Sequence, residues 1–251
     1  VAKKMIKKPL REILQQSKNI VFFGGAGTST ESNIPDFRSA NGLYQSRDDI
    51  PHPPEQMLSR SFFVKHTNEF YRFYRKNMVF QQAKPNDAHF SLAELESKGQ
   101  LKAIITQNID GLHQSAGSKN VLELHGSIHR NFCMRCDTLY DVNFIMKNKN
   151  DVPTCERCGG IVKPDVTLYE EALNMETFDR AKRFITEADL LVVGGTSLSV
   201  QPAASLVNYF QGENIIVINH TETNCDGIAS YIIRDSVGKV LKQWTREVVI
   251  A

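Results

Sequence analysis

No uninterrupted apolar run among the 251 residues approaches the roughly 18–20 that a membrane-spanning helix requires. Lys3, Lys4, Lys7 and Lys8 are followed by no apolar leader. A secretory signal is therefore not expected, and the basic cluster reads as a solvated terminus. Charge of one sign is also lacking. The formal net charge is only +2, too small a field to direct the chain to nucleic acid or an anionic membrane. Disulfides are not expected either. The five cysteines form an odd set, and four of them stand in two close pairs. That pattern points to a reducing compartment and a metal. No repeat or low-complexity tract interrupts the chain. A cytoplasmic monomer is the expectation, with no membrane and no specific nucleic acid as partner.

Against those absences stands an ordinary globular composition, 41% apolar and 23% charged. Short β-branched runs recur at residues 20–23, 102–106, 121–124, 189–193, 214–218 and 231–233. They read as buried parallel strands. Helical patterns at 10–17, 87–99, 175–188 and 203–212 separate many of them. The alternation predicts an α/β fold, a Rossmann-like open parallel sheet covered on both faces. Residues 1–41, 86–126 and 165–251 are assigned to it. Two stretches break the rhythm: 42–85, which is aromatic and helical, and 127–164, which holds the cysteine pairs. They are expected to form a small second lobe, a helical insert joined to a zinc ribbon.

Five of the predicted strands run straight into polar or glycine-bearing loops. These are residues 24–29, 107–110, 125–127, 194–197 and Asn219. In an open parallel sheet such loops share the carboxyl edge, where ligands bind at the topological switch point. The first loop, Gly24-Gly25-Ala26-Gly27-Thr28-Ser29, is expected to lead into a helix and suits a phosphate cradle, because glycine lets the backbone approach a pyrophosphate and the helix N-terminus supplies N–H donors. It is not a dehydrogenase fingerprint. Thr30 stands where the third glycine belongs, and no acidic residue closes a second strand about 20 residues on. A nucleotide is expected and hydride transfer is not. Arg38 suits bidentate pairing with a phosphate, and Phe37 offers an aromatic face to a flat leaving group.

Cys133-x-x-Cys136 and Cys155-x-x-Cys158 are separated by 18 residues, 137–154. This spacing fits a four-thiolate tetrahedral zinc site. Four protein ligands leave no open position, so the metal is expected to be structural. Cys225 is left over and reads as a small buried residue.

Taken together, the motifs resemble the sirtuin family, in its bacterial type with a short catalytic core. The resemblance rests on Gly25-Ala26-Gly27 through Ser32, Ile34-Pro35-Asp36-Phe37-Arg38, Thr106-Gln107-Asn108-Ile109-Asp110 and Leu112-His113. It continues through Glu123-Leu124-His125-Gly126, the two cysteine pairs and Gly195-Thr196-Ser197-Leu198, all in sirtuin order. It implies an NAD-dependent protein-lysine deacetylase, which consumes NAD, moves the acyl group to ADP-ribose and releases nicotinamide. His125 is implied as general base, with Asn108 orienting water or the ribose. Ala26, Gly27, Thr30 and Arg38 are implied at the phosphates, and Thr196, Ser197 and Asn219 along the adenosine half, with Val237 near the adenine. Gln107 is implied at the nicotinamide ribose, Ile109 and Asp110 at the carboxamide, and Phe37 as a shield over the intermediate. His113 is read as support for the 108–110 loop.

The partner implied is an acetylated lysine side chain on a protein, its peptide added as a strand along Val166, Leu168 and Tyr169. Two residues depart from the family pattern. Asn33 and Glu170 stand where glycine is usual, and asparagine is the milder change because it tolerates a left-handed backbone. Family members that prefer succinyl or malonyl lysine resemble one another in a Tyr-x-x-Arg pair. Here Tyr71 is followed by Tyr74, and Arg72 and Arg75 are expected to point away from Tyr71. Two alternatives compete with deacetylation. One is protein ADP-ribosyl transfer on the same fold. The other is a non-catalytic zinc-ribbon module using Arg130, Arg135 and Arg157. His125 together with the zinc site favours deacetylation over the first, and the near-neutral net charge with the complete loop set argues against the second.

Overall fold

In the computed structural model, which describes residues 9–36, 42, 52–147 and 152–248, every predicted strand is present. In chain order the strands are β1 (Ile20–Gly24), β2 (Leu101–Thr106), β3 (Val121–Glu123), β4 (Gly126–Cys133), β5 (Leu139–Tyr140), β6 (Val162–Val166), β7 (Leu190–Gly194), β8 (Asn214–Ile218) and β9 (Tyr231–Ile233). The helices are α1 (Leu10–Gln16), α2 (Pro54–Met57), α3 (Arg60–Lys65), α4 (Thr67–Asn77), α5 (Asp87–Ser97), α6 (Leu112–Ser115), α7 (Val142–Lys147), α8 (Met175–Glu187) and α9 (Val237–Val248).

Six strands form one sheet in the order β3-β2-β1-β7-β8-β9, and every pairing in it is parallel. Alternate side chains of the central strands enter opposite cores, as the two-residue strand period requires. Val21, Phe23, Leu191, Val193, Ile215 and Val217 pack with α8 on one face. Ile20, Phe22, Leu190, Val192, Ile216 and Ile218 pack with α1, α5 and α9 on the other. Burial on both faces explains why the strands read as continuous apolar runs. The strand order reverses between β1 and β7, which puts the switch point at the loops after those two strands.

Three local features differ from expectation. The glycine loop enters two short 3-10 turns, Ala26–Thr28 and Thr30–Ser32, and not a regular helix. They end at Asn33, whose φ of 61° is left-handed. Residues 203–209 also form a 3-10 helix. Its buried pairs Ala203/Leu206 and Ala204/Val207 repeat every three residues, which matches that tighter turn. Finally, α9 is not among the expected elements. Its signal is nevertheless present, since Val237, Val240, Leu241 and Trp244 are all buried at the i, i+3, i+4, i+7 spacing of one helix face.

The small lobe is a three-stranded antiparallel sheet in the order β5-β4-β6 packed on helices α2 to α4 and α7. Phe62, Phe63, Phe70, Tyr71, Phe73 and Tyr74 share one core with Ile128, Ile145, Val162 and Val166. Neither insert builds that core alone. The chain enters this lobe at Gly126, where φ is 76° and a Cβ would lie 1.9 Å from the Asp165 carbonyl oxygen. Only glycine permits that crossing, and the residue just before it is His125.

Candidate active site

Backbone hydrogen bonds tie the carboxyl-edge loops into one crevice. Gly25 N–H donates to Gly194 O at 3.2 Å and Gly27 N–H to Gly195 O at 2.8 Å. Gly195 has a φ of 61°, and a Cβ on it would sit 2.4 Å from Thr28 N. The glycines therefore let two loops touch backbone to backbone, which a phosphate-cradle reading of the first loop alone does not require. Gln107 N–H donates to Gly24 O at 3.0 Å. Its side-chain amide donates to Thr196 Oγ1 at 3.0 Å, so the loops after β2 and β7 are joined across β1. Thr196, Ser197, Gln107 and Asn219 are all partly exposed at this edge.

His125 stands where the large sheet hands over to the small lobe. Its Nδ1 lies 3.0 Å from the Gln107 carbonyl oxygen. A carbonyl only accepts, so Nδ1 carries the hydrogen in the neutral ring and Nε2 carries the lone pair. Burial pushes its pKa below the ordinary histidine value, and the bond to Gln107 opposes that in part. At pH 7 the ring is neutral and can accept a proton.

Beneath this edge lies a polar cluster. Ser29 is buried, and its hydroxyl donates to Asp110 Oδ2 at 2.7 Å. Ser29 Oγ itself accepts from the Asn108 side-chain amide at 3.0 Å and lies 3.5 Å from His89 Nε2. Asp110 Oδ1 accepts the Leu112 N–H at 2.9 Å, which starts α6. The structure thus gathers Asn108 and Asp110 around a serine that the sequence reading did not single out. A serine two residues beyond the last glycine of the first loop was the available signal. Ile109 packs against the small-lobe core, and its carbonyl accepts Ile128 N–H at 3.0 Å.

His113 is buried against Phe22 and His89, and among the described residues neither of its ring nitrogens has a hydrogen-bond partner. Its ring is held by packing against Phe22 and His89. Burial lowers its pKa to about 3, helped by the neighbouring His89. Burial likewise lowers His89 to about 4, with Asp110 acting in the opposite direction. Both rings stay neutral in the folded chain down to about pH 4, whereas the unfolded chain protonates them from about pH 6.5 downward. These groups leave stability unchanged above about pH 6.5 and weaken it progressively below, each by up to about 1.4 kcal/mol per pH unit. The melting temperature is expected to fall steadily from pH 6.5 to 4. In His113→Phe the fall should be shallower, and thermal scans of both proteins across that range decide it. An unchanged slope would contradict the assignment.

The other predicted NAD contacts are placed as follows. Ala26 and Gly27 are half-buried, and Thr30 is exposed with its hydroxyl donating to Gly27 O at 3.0 Å. Asn219 follows β8, and its side-chain amide donates to Thr221 O at 3.0 Å. Val237 begins α9 with its side chain in the core beside Gly194, so it supports that loop from within. Phe37 and Arg38 lie outside the described residues.

The four paired cysteines converge. Cys133 ends β4, and each pair closes a tight turn through Asp137 (φ 54°) or Gly159 (φ 71°). Asp137 N–H donates to Cys133 O at 2.9 Å and Gly159 N–H to Cys155 O at 2.8 Å. All four Sγ atoms lie within 4.8 Å of one another, with three separations of 3.3, 3.4 and 3.6 Å. A tetrahedron with metal–sulfur arms of about 2.3 Å needs edges of about 3.8 Å, so the donor set fits one zinc-sized ion.

On the peptide side, among the described residues, β6 is an edge strand of the small sheet, and Lys163 Nζ donates to its Pro164 and Val166 carbonyls at 3.2 and 3.0 Å. Val166 and Leu168 are buried in the small-lobe core, so they can offer only backbone, while Tyr169 is exposed. Thr167 N–H donates to His125 O at 3.0 Å, which fixes this segment beside the histidine.

The expectation for α4 needs correcting. Tyr71 faces no open pocket: it is fully buried, with its hydroxyl donating to Val162 O. Arg75 does not turn away from it. The guanidinium lies 5.2 Å from the Tyr71 ring centre, because residues four apart share a helix face. Arg75 Nε donates to Ile145 O at 2.8 Å inside the lobe, and Arg72 is exposed.

These features define a class first, an α/β enzyme of the kind that holds a nucleotide at the switch point, with its crevice at the joint to a thiolate-rich lobe. The Sir2 family model matches residues 25–202. The chain belongs to that family, the sirtuins. It is 58% identical to an NAD-dependent protein deacetylase of Clostridium acetobutylicum, over 93% of this chain and 95% of that protein. It is 51% identical to an NAD-dependent protein deacetylase of Cutibacterium acnes, over 98% of this chain and all of the relative. Among solved structures, a Sir2 complex with a p53 peptide and NAD+ superposes with a TM-score of 0.84 at 37% identity, covering 98% of this chain and 100% of that one. A Sir2 homolog–NAD complex gives 0.85 at 38% identity, covering 96% and 93%.

Proposed function

We propose that this chain is an NAD-dependent protein-lysine deacetylase. The observation that carries the reading is His125, with Nδ1 held by the Gln107 carbonyl and its main chain bonded to the peptide-side segment at Thr167. NAD supplies the acyl acceptor and the nicotinamide leaving group. Ala26, Gly27, Thr30 and Arg38 hold its phosphates, Thr196, Ser197 and Asn219 its adenosine half, and Val237 backs the adenine side. Gln107 meets the nicotinamide ribose, and Ile109 and Asp110 the carboxamide, with Phe37 as the shield. His125 Nε2 accepts the proton of a ribose hydroxyl, and the Gln107 carbonyl keeps the ring in the tautomer that can do so. Asn108, anchored by Ser29, orients water or the ribose. Cys133, Cys136, Cys155 and Cys158 hold one structural zinc ion, which takes no part in the bond-making. Acetylated lysine peptides lie along the edge of β6, bound through main-chain hydrogen bonds with little sequence selectivity. The protein acts as a cytoplasmic monomer.

A panel of matched peptides differing only in the acyl group, incubated with NAD and followed by mass spectrometry, tests this reading. Nicotinamide and deacylated peptide should appear together. A peptide that instead gains the mass of ADP-ribose would favour the transferase. The panel also tests acyl choice. Arg75 is committed to Ile145 O and the Tyr71 ring, so α4 offers no fork for an acyl carboxylate. An acidic acyl group buried without a cation is disfavoured. Acetyl-lysine is expected to exceed succinyl-lysine at least about tenfold in kcat/KM, about 1.4 kcal/mol in the transition state. Equal rates would mean that an arginine reaches the acyl group.

A further inference from the structure

We propose that Glu170 is a positioning residue for the acyl-peptide substrate, clasping the segment after β6 to the first turn of α3. The inference rests on the reading of that segment as the peptide-pairing edge. Glu170 has a φ of 73°, a conformation that glycine adopts freely and a glutamate does not. Such strain persists where surrounding interactions over-determine it, and here they are identifiable. Glu170 Oε2 accepts the Ser61 N–H at 2.9 Å and Oε1 accepts the Ser61 hydroxyl at 2.9 Å. Ser61 is the second residue of α3, whose amide has no partner within the helix. The neighbouring Ser59 hydroxyl already accepts Phe62 N–H at 3.1 Å, so the two side chains divide the first-turn donors between them.

The clasp closes a ring. Ser59 pairs with Tyr169 as an isolated parallel bridge. Tyr169 N–H donates to Leu58 O, and Arg60 N–H donates to Tyr169 O, both at 3.0 Å. Nearer β6, the segment is held by Thr167 N–H on His125 O at 3.0 Å. Glu171 completes that hold, accepting Leu168 N–H at 2.9 Å and facing Lys163 at 3.1 Å. Glu170 fixes the far side, from Tyr169 to the helix. Without it, the segment keeps its tethers at His125 and Glu171, but the exposed Tyr169 end is joined to α3 through the two Tyr169 backbone bonds alone, with no side-chain clasp to hold their register. A segment competent for only a tenth of the time binds its peptide about ten times more weakly.

Three substitutions separate the possible causes. Glu170→Gly relieves the backbone strain but removes the clasp. Glu170→Ala removes the clasp and keeps the strain. Glu170→Gln keeps an amide oxygen for Ser61 N–H and an amide N–H for its hydroxyl. Steady-state kinetics with NAD and an acetyl-lysine peptide should show the peptide KM raised about tenfold in the Gly and Ala variants. The NAD KM and kcat should stay near wild type, and Glu170→Gln should restore the peptide KM. Ser61→Ala, which leaves residue 170 intact, should raise the peptide KM by a smaller factor and add nothing in the Ala background. Amide hydrogen exchange at Ser61 and Tyr169 should quicken in the Gly variant while exchange across β4 is unchanged. A Gly variant with wild-type peptide KM overturns the clasp, as does a Gln variant as poor as alanine, which would make charge the agent. A wild-type protein that turns over no acetyl peptide removes the deacetylase reading itself, and this inference with it.

Discussion

Replacing His125 with alanine is expected to lower deacetylation at least about 100-fold, the usual scale for loss of a general base, with little change in melting temperature. The ring is only part-buried and, among the described residues, makes one hydrogen bond, to the Gln107 carbonyl. That carbonyl stays at the crevice edge, where water can replace the ring. The fold should therefore survive, and the loss should fall on kcat/KM. The pH profile gives a second check. Burial sets the His125 pKa below the ordinary value, so the ring stays neutral as pH falls past about 6.5. The rate supported by the wild type should hold level through neutrality and drop only at lower pH. Rates measured on an acetyl-lysine peptide from pH 5 to 8, beside the alanine variant, decide it. A variant with near-normal turnover would remove His125 from the mechanism.

The large sheet is legible because its strands are buried on both faces. Such strands appear as unbroken runs such as Leu190–Gly194, and each ends in a loop whose polar or glycine residues mark the carboxyl edge. The cysteine pairs are legible for a related reason, since a metal site fixes spacing in the chain. Contacts between distant residues leave no such trace. Nothing local to Ser29 shows that it joins Asn108 and Asp110, 79 and 81 residues away. Glu170 stood out as a departure from a glycine position, but its partner Ser61 lies 109 residues earlier. In α4 the turn of about 100° between adjacent residues hides the pair that matters, since Arg75 lies four residues after Tyr71 and shares its face. The small sheet was hidden differently. β4 carries a register shift between Ser127 and Asn131, which breaks the two-residue alternation that would reveal a strand.

Removing the metal is expected to unfold the small lobe, where removing His125 leaves it intact. Metal analysis should find about one zinc per chain, and Cys133→Ala should give aggregated protein or a lobe without cooperative melting. Cys133 and Cys155 are buried members of the core that also holds Phe63, Tyr71 and Ile145. They are therefore both ligands and packing. Among the described residues β5 is only two residues long, so little strand pairing holds the two cysteine turns together without the ion. Structural zinc supplies about 10–16 kcal/mol to the folding of small sites, comparable with the whole stability of a typical domain, about 5–15 kcal/mol. Four bare thiols crowded within 4.8 Å would keep none of that. Loss of this lobe also releases β6 and the Thr167 bond to His125, so activity should vanish with structure and not before it. Chelation followed jointly by circular dichroism and by turnover should show the two signals falling together. Cys225→Ala is the control. That thiol is buried in the large-domain core, away from the four, and its loss should leave zinc content and activity in place. Metal-free protein that keeps native melting would end the structural-zinc reading, and activity lost before structure would move the metal into the chemistry.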